Sequence, residues 1–235
     1  MRDDGDGERM PGTNGKWAAA PTDDMAASNA RAEQKVFVVD DDSAVRQSLA
    51  WLLGSIQLRT ECFASAAEFL ARRHPGMRGC LILDLRMPEM SGLELQEALL
   101  HVGSKMPIIF VTGHGEVDSA VQALKSGAFD FVEKPFNENR LLERVHAALA
   151  WEAEAWQKEI AQAALRTRFA RCTERELQVL RLLLGGGSNK QIASDLSISV
   201  KTVEVHRARL MEKAGASSFA ELVRLALALD AVAPE

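Results

Sequence analysis

Residues 81–92 read LILDLRMPEMSG, and the fold turns on how this stretch is taken. An apolar run ends in Asp84, and Pro88 and Gly92 punctuate the loop beyond it. An apolar run bounded by turn residues marks a strand buried on both faces, as at the centre of a parallel sheet. Asp84 then stands at the carboxyl edge, where open α/β sheets bind their ligands. A lone aspartate there would more simply cap a turn, so its neighbours in space decide its meaning.

Working outward, residues 36–39 form an apolar strand that runs into Asp40, Asp41 and Asp42. A helix follows, with Ala44, Leu49, Leu52 and Leu53 available to a core. A second strand is expected over 58–63, and Ser65 with Glu68 makes a capping box opening a helix through Ala71. After the Asp84 strand come a helix behind Ser91 and Gly92, a strand over 108–112, and a helix through Val117, Val121 and Leu124. A strand over 128–132 and a helix from about Asn137 complete the series. Five strands alternating with helices predict an α/β fold with a five-stranded, doubly wound parallel sheet.

Right-handed crossovers bring the strand ends to one edge. Asp40 and Asp41 end the first strand, Asp84 the third, Thr112 the fourth and Lys134 the fifth. Each residue singly has an ordinary structural role, but their convergence does not. Three carboxylates at one edge repel one another and call for a divalent cation, and oxygen-only ligands suit Mg2+. With a lysine and a hydroxyl beside them, the expected ligand is a phosphoryl group on Asp84.

The segments VVDDD, LILDLRMPEMSG, IIFVTGHG and DFVEKPF, in this order and spacing, resemble the receiver domain of two-component response regulators over residues 35–150. The resemblance implies a flavodoxin-like domain in which Asp84 becomes 4-aspartylphosphate, receiving its phosphoryl group from a sensor histidine kinase. It implies that Asp40, Asp41, Asp84 and the main-chain carbonyl of Arg86 hold Mg2+, and that Thr112 and Lys134 contact the phosphoryl oxygens. Lys134-Pro135 is then a cis bond, Arg86 and His114 occupy positions that tune dephosphorylation, and Phe131 is the switch aromatic. The family also implies a homodimer when phosphorylated, formed by the helix at 116–126 and the strand and helix after it.

Residues 1–34 are rich in Gly, Ala, Asp, Asn and Pro without an apolar period, and read as a disordered extension. From Leu142 the positions Val145, Leu149, Ala153, Trp156, Ile160 and Ala163 recur every three or four residues with no Gly or Pro between. One long helix is expected, with residues 151–169 as a linker that either packs on its own protein or forms a dimer seam. Beyond it, Thr173 with Glu176, Ser188 with Gln191, Ser199, and Ser218 with Glu221 are four helix-start signals. Helices at 189–196 and 200–211, joined by a tight turn at Ser197, give a helix-turn-helix within a small all-α, four-helix domain over 170–235.

The segment from Thr173 to Ala216 resembles the LuxR-type DNA-binding domain, and TVEVHRARLMEK resembles its FixJ branch. Asn189, Lys190, Lys201, Thr202, Glu204, Val205, Arg207, Ala208 and Arg209 are the expected contacts to double-stranded promoter DNA. Helical geometry turns Val203 and Leu210 inward with His206 between them, and Lys201, Glu204, Val205 and Ala208 outward to the major groove. Lys190 and Arg209 are expected on phosphates.

The formal charge of -5 is uneven. Residues 169–235 carry nine Lys/Arg against eight Asp/Glu, so net charge permits nucleic-acid binding there without demonstrating it. Cys62, Cys80 and Cys172 are scattered without CxxC or metal-ligand spacing, as in a reduced cytoplasmic protein. No apolar run approaches the roughly 20 residues that span a bilayer. The reading is a phosphorylation-activated transcriptional regulator, not an enzyme, with RNA polymerase as a candidate partner and no membrane partner. The alternatives are a receiver with a protein-binding helical domain, or an aspartyl-phosphate phosphatase. The latter wants a second acid two residues beyond its nucleophile, where Arg86 stands.

Overall fold

The computed structural model describes residues 34–113 and 117–230. His114 and all of the expected extension except Gln34 lie outside the described residues. Gln34 is buried, and its Nε2 donates to the Leu149 carbonyl at 2.8 Å. The chain divides into two units after Leu149.

In the first unit β1 (Lys35–Val39), β2 (Thr60–Phe63), β3 (Gly79–Asp84), β4 (Ile108–Thr112) and β5 (Asp130–Glu133) alternate with helices. The helices are α1 (Ser43–Ser55), α2 (Ala66–Arg72), α3 (Gly92–His101), α4 (Val117–Lys125) and the start of α5 (Glu138–Phe169). All four strand pairings are parallel, in the order β2-β1-β3-β4-β5. That order reverses direction between β1 and β3, and the crevice at such a switch point is where open sheets bind ligands.

Every residue of β3 is buried, which is why its sequence is apolar without alternation. Its side chains part to two core layers. Ile82 joins Val36, Val38, Ile109 and Val111 beneath Leu49 and Leu53 of α1 and Leu141 and Val145 of α5. Leu81 and Leu83 join Phe37, Val39 and Phe110 beneath Phe69 of α2 and Leu95 and Leu99 of α3. Full burial of such side chains stabilises by roughly 1.5–3 kcal/mol each.

Several element bounds differ from expectation. Strand β2 starts at Thr60 because Leu58 N still donates back to Leu53 O at 3.1 Å, after Gln57 adopts φ 64. Strand β5 starts at Asp130, not Ala128, because Ala128 N donates to Ala123 O and so belongs to the helix end. In α1, Ala44 is exposed on the first turn and Val45 packs on the core in its place. Ser65 caps α2 as expected, but the Glu68 carboxylate reaches Ala64 N, not Ser65 N.

The second unit continues α5 and adds α6 (Glu174–Leu184), α7 (Asn189–Asp195), α8 (Val200–Ala214) and α9 (Phe219–Asp230). Capping boxes start α6 and α7, and Ser199 caps α8. The turn between α7 and α8 holds Ser197 at φ 53. Helix α8 runs on to Ala214, past the expected Met211, until Gly215 in the left-handed conformation ends it. The core gathers Phe169, Val179, Leu183, Ile192, Val203, Leu210 and Leu222. Along α5, Val145 and Leu149 are buried, Trp156 is half-buried, and Ile160 and Ala163 are exposed.

Candidate functional site

The ends of three strands meet on one ammonium group. Lys134 Nζ lies 2.7 Å from Asp84 Oδ1 at the end of β3 and 2.9 Å from Asp40 Oδ2 behind β1. The Lys134 N–H donates to Thr112 O at 2.7 Å, and the bond to Pro135 is cis. The other Asp84 oxygen, Oδ2, accepts from Arg86 N at 2.9 Å. Asp40 is fixed twice: its Oδ1 accepts from Asp42 N, and its carbonyl accepts from Arg46 Nη1 at 2.7 Å. Thr112 is buried beside them, with its hydroxyl donating to Gly113 O at 3.0 Å.

Gly92 sets the floor of the site. Its N–H donates to Leu85 O, and a Cβ at this position would lie 2.3 Å from Asp84 O. The start of α3 therefore touches the backbone of Asp84 itself.

Two carboxylates share one lysine in a largely buried place. Burial pushes the Asp84 carboxyl above its ordinary value; the hydrogen bond and charge of Lys134 pull it back, and the Asp40 charge adds to the rise. Burial acts to lower Lys134, but its bonds to Asp84 and Asp40 outweigh that and hold it above its ordinary value. The acid is thus poised and the base is locked in its charged form.

Of the expected metal ligands, Asp40 and Asp84 converge on a common cation position. Asp41 is exposed, and Arg86 is exposed with its N–H on Asp84. Among the described residues no group of three or more His, Cys, Asp or Glu side chains is gathered to hold a metal ion. Asp40 and Asp84 are the two of these carboxylates that meet on Lys134. The donor chemistry still suits Mg2+, because both converging side chains offer oxygen to a cation. Asp42 faces the other way and caps α1, accepting from Ala44 N at 2.8 Å. Phe131 is half-buried against the core layer of Phe110.

On the second unit, Val203 and Leu210 of α8 are buried, and Lys201, Glu204, Val205, Ala208 and Arg209 are exposed on the opposite face. Lys190 is also exposed. Thr202 is half-buried, with its hydroxyl 2.8 Å from Ser199 Oγ. Asn189 and Arg207 are bonded to each other, Arg207 Nη1 donating to Asn189 Oδ1 at 2.7 Å. Half-buried His206 carries a buried Nδ1 with no hydrogen-bond partner among the described residues.

Three supports of this surface escaped the sequence reading. The Arg207 guanidinium carbon sits 4.6 Å over the Phe219 ring. Arg175 donates to the Leu196 carbonyl that ends α7. Lys213, near the end of α8, lies 2.6 Å from buried Glu176. Burial alone would raise the Glu176 carboxyl, but Lys213 and the Thr173 donors hold it below its ordinary value.

Among the described residues no helix is long and apolar enough to cross a membrane. Residues 36–146 match the response regulator receiver domain, and residues 171–226 match the bacterial regulatory proteins of the luxR family. The chain is 49% identical over 199 residues to the transcriptional regulatory protein FixJ of Azorhizobium caulinodans, covering 85% of this chain and 94% of that one. It is 45% identical over 190 residues to the response regulator protein TodT of Pseudomonas putida, covering 81% and 84% of the two chains. Among solved structures, the response regulator StyR matches with TM-score 0.77 at 45% identity, over 83% of this chain and 98% of that one. Full-length FixJ from B. japonicum matches with TM-score 0.52 at 40% identity, over 86% and 99%.

Proposed function

Since the chain belongs to the response regulators that join a receiver to a LuxR-type domain, and so is a DNA-binding transcriptional regulator of a two-component system, we propose that Asp84 is its phosphoacceptor. The observation that carries this reading is the convergence of Asp84, Asp40 and Lys134 on one edge.

The donor is the phosphohistidine of a sensor histidine kinase. An Asp84 carboxylate oxygen attacks phosphorus, the P–N bond breaks, and the histidine departs with the electron pair. The raised proton affinity of Asp84 does not prevent this, since the carboxylate is paired with a lysine held charged. Asp40, Asp41, Asp84 and the main-chain carbonyl of Arg86 would hold Mg2+, which when bound offsets the charge of the phosphoryl oxygens. Lys134 then follows the negative charge from the Asp84 carboxylate to the phosphoryl group. Thr112 exchanges its bond to the Gly113 carbonyl for one to a phosphoryl oxygen. Its movement opens space for half-buried Phe131 to turn inward, biasing the surface of α4, β5 and the first turns of α5 toward a homodimer.

In this proposal residues 35–150 form the receiver, 151–169 the linker, and 170–235 the DNA-binding domain, preceded by an extension over 1–34. Dimerisation pairs the DNA-binding domains on promoter DNA, in the cytoplasm and within reach of RNA polymerase. Lys201, Glu204, Val205 and Ala208 enter the major groove, where Glu204 accepts from a cytosine amino group and Val205 meets a thymine methyl. Thr202, Asn189, Lys190 and Arg209 hold the backbone.

Labelling with acetyl phosphate or a kinase tests the acceptor: the wild type takes up phosphoryl and Asp84→Asn does not. Stable labelling of that variant would refute the assignment. Sedimentation with beryllofluoride tests the second step, the expected result being a dimer in place of a monomer.

A further inference from the structure

Charge alone groups Arg207 with Lys190 and Arg209 as a phosphate contact, but its surroundings set it apart. Lys190 and Arg209 are exposed, whereas Arg207 is half-buried. Its Nη1 donates to Asn189 Oδ1 at 2.7 Å, and its Cζ lies 4.6 Å over the Phe219 ring. One side chain of α8 thereby touches the first residue of α7 and the first residue of α9.

A guanidinium has donors only, so the Asn189 atom facing it is the oxygen, and the Asn189 amide NH2 points away from Arg207. A guanidinium also both stacks on a ring and donates from a fixed plane, a pairing that an ammonium does not reproduce.

Resting on the DNA-binding reading above, we infer that Arg207 is a positioning residue: it turns the Asn189 amide donors toward the DNA backbone and does not itself meet a phosphate. The affinity it gives is then neutral in character. Counterions are released by cations that reach phosphates, and Arg207 is committed to Asn189 and Phe219.

The test uses the full chain and random-sequence duplex DNA, with affinity measured across a salt series. Lys190→Ala lowers the slope of log affinity against log salt by about one, as one lost phosphate contact requires. Arg207→Lys and Arg207→Gln each lower affinity about tenfold with the slope unchanged, the loss of one oriented donor. Asn189→Ala costs the same, and adding Arg207→Gln to it costs no more. A merely structural Arg207 would instead give additive losses. The side-chain amide resonances of Asn189 in free protein shift in Arg207→Lys while the helical circular dichroism is retained. Should Arg207→Gln fail to fold, Phe219→Leu removes the ring, keeps the charge, and carries the same expectations. The inference is overturned if Arg207→Lys binds as wild type and Arg207→Gln lowers the slope by about one. If the unsubstituted chain binds no duplex at all, the DNA reading falls and takes this inference with it.

Discussion

Each unit of the molecule sets buried acid against a half-buried lysine, Asp40 and Asp84 on Lys134 in the first and Glu176 on Lys213 in the second. The side chains of Asp84 and Lys134 are 11% and 27% exposed, and those of Glu176 and Lys213 are 2% and 26% exposed. Their acids nonetheless shift in opposite directions, Asp84 upward and Glu176 downward. Burial raises both; for Asp84 it prevails over the pull of Lys134, whereas for Glu176 the bonds from Lys213 and Thr173 outweigh it. Asp84 shares its lysine with Asp40, a like charge that opposes ionisation. Glu176 has its lysine to itself and also accepts from Thr173 N at 2.7 Å. The first arrangement leaves negative charge in want of a further cation and suits chemistry, whereas the second is closed and suits holding α8 against α6.

The sharpest way to break this contrast is to remove each partner. Lys213→Ala leaves Glu176 buried without its counter-charge, and should cost the second unit about 3 kcal/mol. Urea unfolding of the full chain, followed by residue-resolved hydrogen exchange, assigns that loss to its unit; a change within error would mean that Glu176 is satisfied by Thr173 alone. Asp84→Asn should act the other way in the first unit, raising its stability by about 1 kcal/mol, because one of two repelling carboxylates is gone. A loss of stability there would mean that the Lys134 bond outweighs the repulsion.

The smallest effect is on pH. Glu176 lies below its ordinary value in the fold, so its contribution is present above the usual glutamate range near 4.3 and is lost as pH falls through its depressed value. Asp84 lies above its ordinary value, so protonation favours the fold as pH falls through the raised value toward the ordinary one. As pH falls below the usual glutamate range, hydrogen exchange should therefore show the second unit losing stability through a route that Glu176→Gln removes. Equal acid sensitivity in wild type and Glu176→Gln would break the comparison.

Much of the receiver was legible because its information is local. The unbroken apolar residues of β3 and β4 read directly as central strands, and each of those strands pairs on both sides. Ends were less legible where a helix finishes by bonding backward, as at Leu58 and Ala128. The edge residues could be gathered from topology, since parallel strands bring their ends together whatever lies between. That Lys134 sits between Asp40 and Asp84 depends on side-chain geometry across 94 and 50 residues of sequence separation. In the second unit the faces of α8 followed from helical period. The Phe219 ring under Arg207 did not, because no periodicity links a residue on one helix to the first residue of the next.

Gly92 bears on how this chain tolerates change. The exposed Arg86 side chain, two residues beyond Asp84, has room to vary. Position 92 has no such latitude: even a methyl group would press to 2.3 Å from the Asp84 carbonyl and to 3.0 Å from the Phe110 ring. Any inherited substitution there must shift either the strand that carries Asp84 or the helix that starts beside it. Exposed side chains around this edge are thus open to drift, while the place where β3 meets the start of α3 is held by the absence of a single carbon atom.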